Sequence, residues 1–153
     1  MCPHKKEVSV KSLLLKSSSF RQMLLRVLVR NEMDGVMIPV PRYPLYSALL
    51  DILGGSRVEY FLDEDRGWQL SSNELERAYV EASRQGITTR AVVIVNPGNP
   101  TGQVMDKSSL KDVARFCADK VCCLRFFICC HLARANIKAL TIKKMNTGHC
   151  SHR

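Results

Sequence analysis

Two short stretches of the chain concentrate residues suited to holding a ligand. The first reads Asn96-Pro97-Gly98-Asn99-Pro100-Thr101-Gly102, two prolines and two glycines around two asparagines. Each proline restricts the residue before it, so the loop is stiff, and its X-Pro bonds are the ones that can be cis. A stiff loop holds the Asn99 amide at one angle, where it can donate a hydrogen bond to a ligand oxygen. A single Asn-Pro would read as an ordinary Asx-turn, whereas the doubled pattern points to a ligand. The second stretch is Pro39-Val40-Pro41-Arg42-Tyr43-Pro44-Leu45-Tyr46. It mounts the Tyr43 ring between prolines, and a flat ring on a rigid mount stacks on a flat ligand, although covering the core is the commoner fate of a tyrosine.

A third cluster lies near the end: Cys122, Cys123, Cys129, Cys130 and Cys150 with His131, His149 and His152. Thiolates and imidazoles bind zinc, but adjacent Cys-Cys doublets do not match the CxxC spacing of zinc sites, and no metal is expected. The seven cysteines are an odd number, and the opening MCPHKKEV has no apolar leader. Both favour reduced thiols over a disulfide framework.

The two ligand stretches need elements to carry them. Ser18 or Ser19 caps a helix with Phe20, Met23, Leu24, Val27 and Leu28 on one face, stopped by Asn31 to Gly35. Val36 to Val40 is a strand ending at Pro41. Pro44 sits where a first helical turn tolerates proline, ahead of an inward stripe of Leu45, Leu49, Leu50 and Leu53 closed by Gly54-Gly55. Arg57 to Leu62 alternates as a second strand, and the acidic loop Asp63 to Gly67 leads to Trp68. Ser71 with Glu74 spells a capping box before Leu75, Ala78, Tyr79 and Ala82. Ala91 to Val95 is uniformly apolar and reads as a central parallel strand covered on both faces. A last helix from about Asp106 to Asp119 turns Leu110, Val113, Ala114 and Cys117 inward.

Helices alternating with short buried strands predict an α/β fold, a mostly parallel sheet with flanking helices. Ligands in such sheets bind beyond the carboxyl ends of the strands, which is where both stretches lie.

Composition narrows the function. The 153 residues are 46% hydrophobic and carry a formal net charge of +9, but the excess is at the ends. Residues 1–33 hold seven basic and two acidic side chains, residues 34–120 ten and twelve, and residues 121–153 six and none. The best-patterned part is slightly acidic, which argues against nucleic acid as a partner. No apolar run reaches the roughly 18 residues of a membrane span, so no membrane is expected.

The segments DGVMIPVPRYPLYSALL, VEYFLDEDRGWQLSSNELERA and VVIVNPGNPTGQV closely resemble the large domain of the alanine aminotransferases. These are pyridoxal-phosphate-dependent enzymes of fold type I, in aminotransferase class I/II. The likeness covers about Phe20 to Lys120. It implies that Tyr43 matches the aromatic residue stacked on the pyridine ring of pyridoxal phosphate, and that Asn99 matches the asparagine bonded to its phenolic oxygen. It also implies a reaction: the amino group of L-alanine passes to 2-oxoglutarate, giving pyruvate and L-glutamate. Family members resemble one another in being dimers with shared active sites, so a homodimer is one expectation.

The departures shape the expectation for this chain. Where the family has Gly-Ala-Ser to cradle the cofactor phosphate, Lys16-Ser17-Ser18 stands. The family continues from the last helix into a strand ending Asp-Glu-Val-Tyr, whose aspartate pairs with the pyridinium nitrogen. No acidic residue follows Asp119 here. The segments bearing the lysine that bonds the cofactor and the arginine that binds the substrate carboxylate have no counterpart, and Lys138, Lys143 and Lys144 lie in the wrong context.

The expected organisation is therefore an unmatched basic N-terminus (1–18), a partial cofactor-binding domain (19–120) and a basic, Cys-rich, irregular tail (121–153). No catalytic residue is assigned, and the chain alone is expected to be inactive. The break in composition after Lys120 reads as a truncated or misassembled gene model or an alternative transcript. The alternative is a non-catalytic short form that pairs with a full-length aminotransferase subunit. The expected compartment is the cytoplasm, with mitochondria as the minor alternative.

Overall fold

The computed structural model describes residues 18–120 and 126–130, with side chains from residue 22 to residue 120 apart from Ala118. Four strands alternate with four helices: α1 (Ser18–Leu28), β1 (Asp34–Val40), α2 (Leu45–Leu53), β2 (Ser56–Phe61), α3 (Ser72–Arg84), β3 (Thr88–Val95), α4 (Lys107–Lys120) and β4 (Phe126–Cys130). The strands form one parallel sheet in the order β2-β1-β3-β4.

The alternation of a strand sends neighbouring side chains to opposite faces, and both faces here are covered. Val36, Ile38, Ala91 and Val93 pack under α1 and α2 with Leu25, Leu28 and Leu50. Met37, Val58, Tyr60, Val92 and Ile94 pack under α3 and α4 with Leu75, Leu110 and Phe116. Each fully buried leucine of this kind contributes roughly 2 kcal/mol. The uniformly apolar Ala91 to Ile94 run is thus an interior strand, as its composition predicts.

The docked face of α1 is rotated from the expected one, keeping Leu24 and Leu28 and exchanging Met23 and Val27 for Leu25 and Val29. Leu24, Leu25 and Leu28 are buried with Val29, whereas Met23 and Val27 are 65% and 64% exposed. Apolar residues surround most of this helix, so two stripes satisfy helical spacing; contact with the sheet selects the one containing Leu25. The side chain of Phe20 lies outside the described residues. In α2 the buried stripe is Tyr46, Leu49 and Leu50, with Leu45 and Leu53 at its margins. Gly54 ends that helix in the left-handed region at φ 67°, and the Gly54 and Gly55 N–H groups close onto the Asp51 and Leu50 carbonyls.

Half of the expected capping box forms. Ser71 Oγ accepts the Asn73 N–H at 3.3 Å, but Glu74 turns away from Ser71 and its Oε1 accepts the Phe61 N–H at 2.8 Å. In α4 the Asp106 carboxylate caps the first turn by accepting the Ser109 N–H at 2.7 Å. Phe116 takes the buried place expected for Ala114, its ring edge-on to Tyr79 at 6.0 Å. The larger side chain reaches the sheet from a position where a methyl group cannot.

The segment Phe126–Cys130, which composition placed in an irregular tail, is a strand, in register with β3 from Ala91↔Phe126 to Val95↔Cys130. Phe126, Phe127 and Ile128 favour strands and, with the two apolar cysteines after them, extend a sheet whose edge is open.

At the amino end of the sheet, Asp34 is buried between two arginines. Arg90 Nε on β3 lies 2.5 Å from Asp34 Oδ1, and Arg30 Nε lies 2.9 Å from Asp34 Oδ2. The hydrogen bond from Arg30 is the largest influence on the Asp34 carboxyl, and together with Arg90 it outweighs the opposing effect of burial and lowers the pKa to about 2. Gly35 follows at a β-bulge against β3, where a Cβ would come within 2.5 Å of the Ile87 methyl and 2.8 Å of Val58.

Candidate functional site

The strand order reverses direction between β1 and β3, so the crevice at their carboxyl ends is the switch point at which such sheets bind ligands. At the crevice the hydrogen-bonded ladder between β1 and β3 stops short of its neighbours. β1 stays in register with β2 through Val40↔Phe61, and β3 with β4 through Val95↔Cys130, but β1 and β3 pair only as far as Met37↔Val92. The cause lies in one residue. The Val40 carbonyl accepts the Leu62 N–H at 2.9 Å, so Val40 faces β2 and, by the alternation of a ladder, Pro39 faces β3. Proline has no N–H to offer there.

Pro39, Pro41, Tyr60, Val95, Gly98 and Asn99 are among the residues lining the crevice. Tyr60 is fully buried beneath it, and its hydroxyl donates to the Val93 carbonyl at 2.7 Å. Burial pushes the phenol well above its ordinary pKa, so it keeps its proton.

One wall is the β3–α4 loop, in which Asn96-Pro97 and Asn99-Pro100 are both cis, as is Val40-Pro41 on the opposite side. The loop is tied to itself at several points. Asn96 is buried and its Oδ1 accepts the Met105 N–H at 3.1 Å. The Gly98 N–H reaches the Gln103 carbonyl at 2.8 Å, the Gly102 N–H returns to the Gly98 carbonyl at 3.0 Å, and the Thr101 hydroxyl bonds the Gln103 side chain. A Cβ on Gly98 would run into Gln103 and Thr101. These bonds leave Asn99 exposed, its amide without a hydrogen-bond partner among the described residues.

The other wall is the β1–α2 turn. Tyr43 is 57% exposed there, its hydroxyl likewise without a partner among the described residues, and it stands outside the immediate lining of the crevice. Arg42 packs beneath, donating from Nη2 to Glu59 Oε1 at 2.7 Å, while its buried Nε has no partner among the described residues. The fold therefore sets Tyr43 and Asn99 on the two loops that flank a single crevice.

Two contributors escape a reading by motif. Asn96 belongs to the proline-rich stretch, but nothing in that pattern separates its role as an internal brace from the ligand-facing role expected of Asn99. Tyr60 is seen as a strand residue, and nothing in its neighbours marks its hydroxyl as part of the crevice floor. Lys16 and Ser17, the expected phosphate-side residues, and the Cys- and His-rich cluster after Lys120, apart from the backbone of Cys129 and Cys130, lie outside the described residues.

Three comparisons with known proteins agree. The family model described as aminotransferase class I and II matches residues 11–127, reaching past both ends of the expected 19–120 unit. A probable mitochondrial alanine aminotransferase of Dictyostelium discoideum is 44% identical over 99 residues, which is 65% of this chain and 18% of that protein. Glutamate–glyoxylate aminotransferase 2 of Arabidopsis thaliana is 46% identical over 97 residues, 63% of this chain and 20% of that protein. This chain thus spans a small part of the length of the curated relatives it matches. Among solved structures, an alanine aminotransferase from Pyrococcus furiosus superposes with a TM-score of 0.55 at 28% identity, over 69% of this chain and 25% of that one. An aspartate aminotransferase of Thermus thermophilus, at 23% identity and a TM-score of 0.61, shares the fold. With the family model covering most of its length, the chain belongs to the class I and II aminotransferases.

Proposed function

We propose that the two loops flanking the crevice between β1 and β3 hold pyridoxal phosphate at its mouth, with Tyr43 against the ring and Asn99 on its phenolic oxygen. The observation that carries this reading is the pair of loops flanking one switch-point crevice, each presenting an exposed side chain with a free polar group. The family generally uses this cofactor, which when bound supplies an electron sink for amino-group transfer. The chain's own residues supply orientation. The Tyr43 ring covers one face of the ligand and keeps water from it. The Asn99 amide donates to an oxygen at the rim and fixes the ring's rotation. The start of α1 at Ser18 supplies unpaired backbone N–H groups for a phosphate, in place of the glycine-containing turn of the family.

In an intact protein containing this unit, the reaction is transfer of the amino group of L-alanine to 2-oxoglutarate, yielding pyruvate and L-glutamate. The unit takes in residues 19–120 and, beyond them, β4 (Phe126–Cys130), which adds to its sheet from the basic, Cys-rich tail. These 153 residues offer no lysine in a context for covalent attachment of the cofactor, and they bind it without turnover. The test is an absorbance titration of the purified chain with pyridoxal phosphate, alongside an assay for alanine-dependent pyruvate. Binding that weakens in Tyr43→Leu and Asn99→Ala supports the reading. Pyruvate formation by the chain alone would overturn the claim of inactivity, and binding indifferent to both substitutions would overturn the site.

A second reading is favoured by Met23 and Val27, one turn apart on α1 and both mostly exposed. In it the chain is a non-catalytic partner of a full-length aminotransferase subunit, which covers that helix. Co-purification of the two, lost in Met23→Glu/Val27→Glu, is the expected result; independent migration removes the reading.

A further inference from the structure

Where the β1–β3 ladder ends, a ladder bond is missing and a side chain stands near its place. Continuing the register two residues beyond Met37↔Val92 sets Pro39 opposite Ile94, and the N–H of a residue at position 39 would then donate to the Val93 carbonyl. Pro39 has none. The same Val93 carbonyl instead receives the Tyr60 hydroxyl at 2.7 Å, delivered from β2, the strand on the far side of β1. A buried carbonyl without a donor is costly, so something must satisfy it for the gap in the ladder to persist.

We propose that Pro39 and Tyr60 act as a pair, in which the tyrosine hydroxyl replaces the ladder bond that proline deletes and so fixes the spacing of β1 and β3 beneath the switch-point crevice. Tyr60 is thereby a positioning residue. It touches neither reactant nor solvent, but it fixes the distance between the strand ends that carry the Tyr43 and Asn99 loops. Several features suit this role. Tyr60 is fully buried, so its ring cannot swing away. Its phenol is raised by burial and stays a donor at all ordinary pH. The two outer pairings run on to Val40↔Phe61 and Val95↔Cys130, so the missing ladder bond is confined to the seam between β1 and β3.

The part of this inference that concerns ligand positioning rests on the reading of the crevice as a pyridoxal phosphate site; the compensation of Pro39 by Tyr60 does not. The test is a four-protein cycle on the full chain: wild type, Tyr60→Phe, Pro39→Ala and the double variant. Tyr60→Phe lowers the urea midpoint in the Pro39 background, because Val93 is left bare. In the Pro39→Ala background the same change has a much smaller effect, because the substituted backbone supplies the N–H. An equal loss in both backgrounds overturns the proposal. If Tyr60→Phe alone does not fold, recovery of folding in the double variant is the expected result and its absence overturns the proposal.

A pyridoxal phosphate titration of the same four proteins separates positioning from stability. The double variant regains its stability through the backbone bond, which resets the strand spacing, and its dissociation constant rises by roughly tenfold or more. A double variant that binds as wild type does overturns the positioning role. Failure of the wild type to bind removes the cofactor reading and leaves the compensation of Pro39 by Tyr60 to be decided by the urea cycle.

Discussion

Glu74 Oε1 on α3 accepts the backbone N–H of Phe61 on β2 at 2.8 Å. The bond caps an N–H on the outer side of an edge strand, since Leu62 donates inward to Val40 and its neighbour must face outward. Arg77, paired with the same carboxylate at 2.6 Å, donates to the Glu59 carbonyl at 3.4 Å. Two side chains of one helix turn thus occupy the groups through which another strand would attach. Glu74→Ala is expected to destabilise the chain by about 1 kcal/mol and to promote self-association. Sedimentation velocity would show it, with Glu74→Gln, which keeps the acceptor, close to wild type.

The Asp34 carboxyl sets an acid limit. Hydrogen bonds from Arg30 and Arg90 lower its pKa in the fold to about 2 from the ordinary 3.8. A group whose pKa is depressed by folding stabilises fully above its unfolded value, and that contribution disappears as pH falls through the folded one. Stability is therefore expected to drop between about pH 4 and pH 2, and a urea series across that range checks it. Asp34→Asn abolishes that component and, by leaving Arg90 unpaired in a mostly buried place, destabilises by roughly 3 kcal/mol.

Cys117 is buried on the inner face of α4, and burial pushes its thiol up to about 12. Such a thiol is neither charged nor accessible at neutral pH. Its alkylation, followed by peptide mass spectrometry, is expected to proceed only as fast as the helix detaches or the chain unfolds. Prompt labelling of Cys117 in native buffer would contradict its packing.

Tyr43 acts through its ring face in the proposed site, not through its hydroxyl. Tyr43→Phe is therefore expected to bind pyridoxal phosphate within about twofold of wild type. Tyr43→Leu should weaken binding by roughly fivefold to tenfold, the worth of an aromatic stack. Both variants should keep the wild-type urea midpoint, because the side chain is mostly exposed.

Much of the architecture was legible in the residues. Alternating apolar periods, the Gly54 stop and the uniform Ala91 to Ile94 run led directly to a parallel sheet with helices on both sides. Pattern could not choose between two apolar stripes on α1, because that choice belongs to the surface it meets. Nor could it see that Glu74 would leave its own helix cap for the N–H of Phe61, since local and distant donors differ only in the folded state. The ligand loops stood out by their prolines and asparagines. The crevice floor did not, because Tyr60 reaches Val93 across 33 positions of sequence. The strand Phe126–Cys130 was masked by the basic, unpatterned character of its surroundings.

The β1–β3 seam has unequal ends. At one end Arg90 is bolted to Asp34 beside the first paired residues; at the other, Pro39 ends the backbone ladder. Mechanically the two halves of the sheet are a pair of arms on a fulcrum. A molecule pressing between the Tyr43 and Asn99 loops loads that seam as a lever, with the strand length as its arm, and the ion pair bears the torque. Loosening the fulcrum should therefore be felt at the tips, many residues from any contact with what they grip.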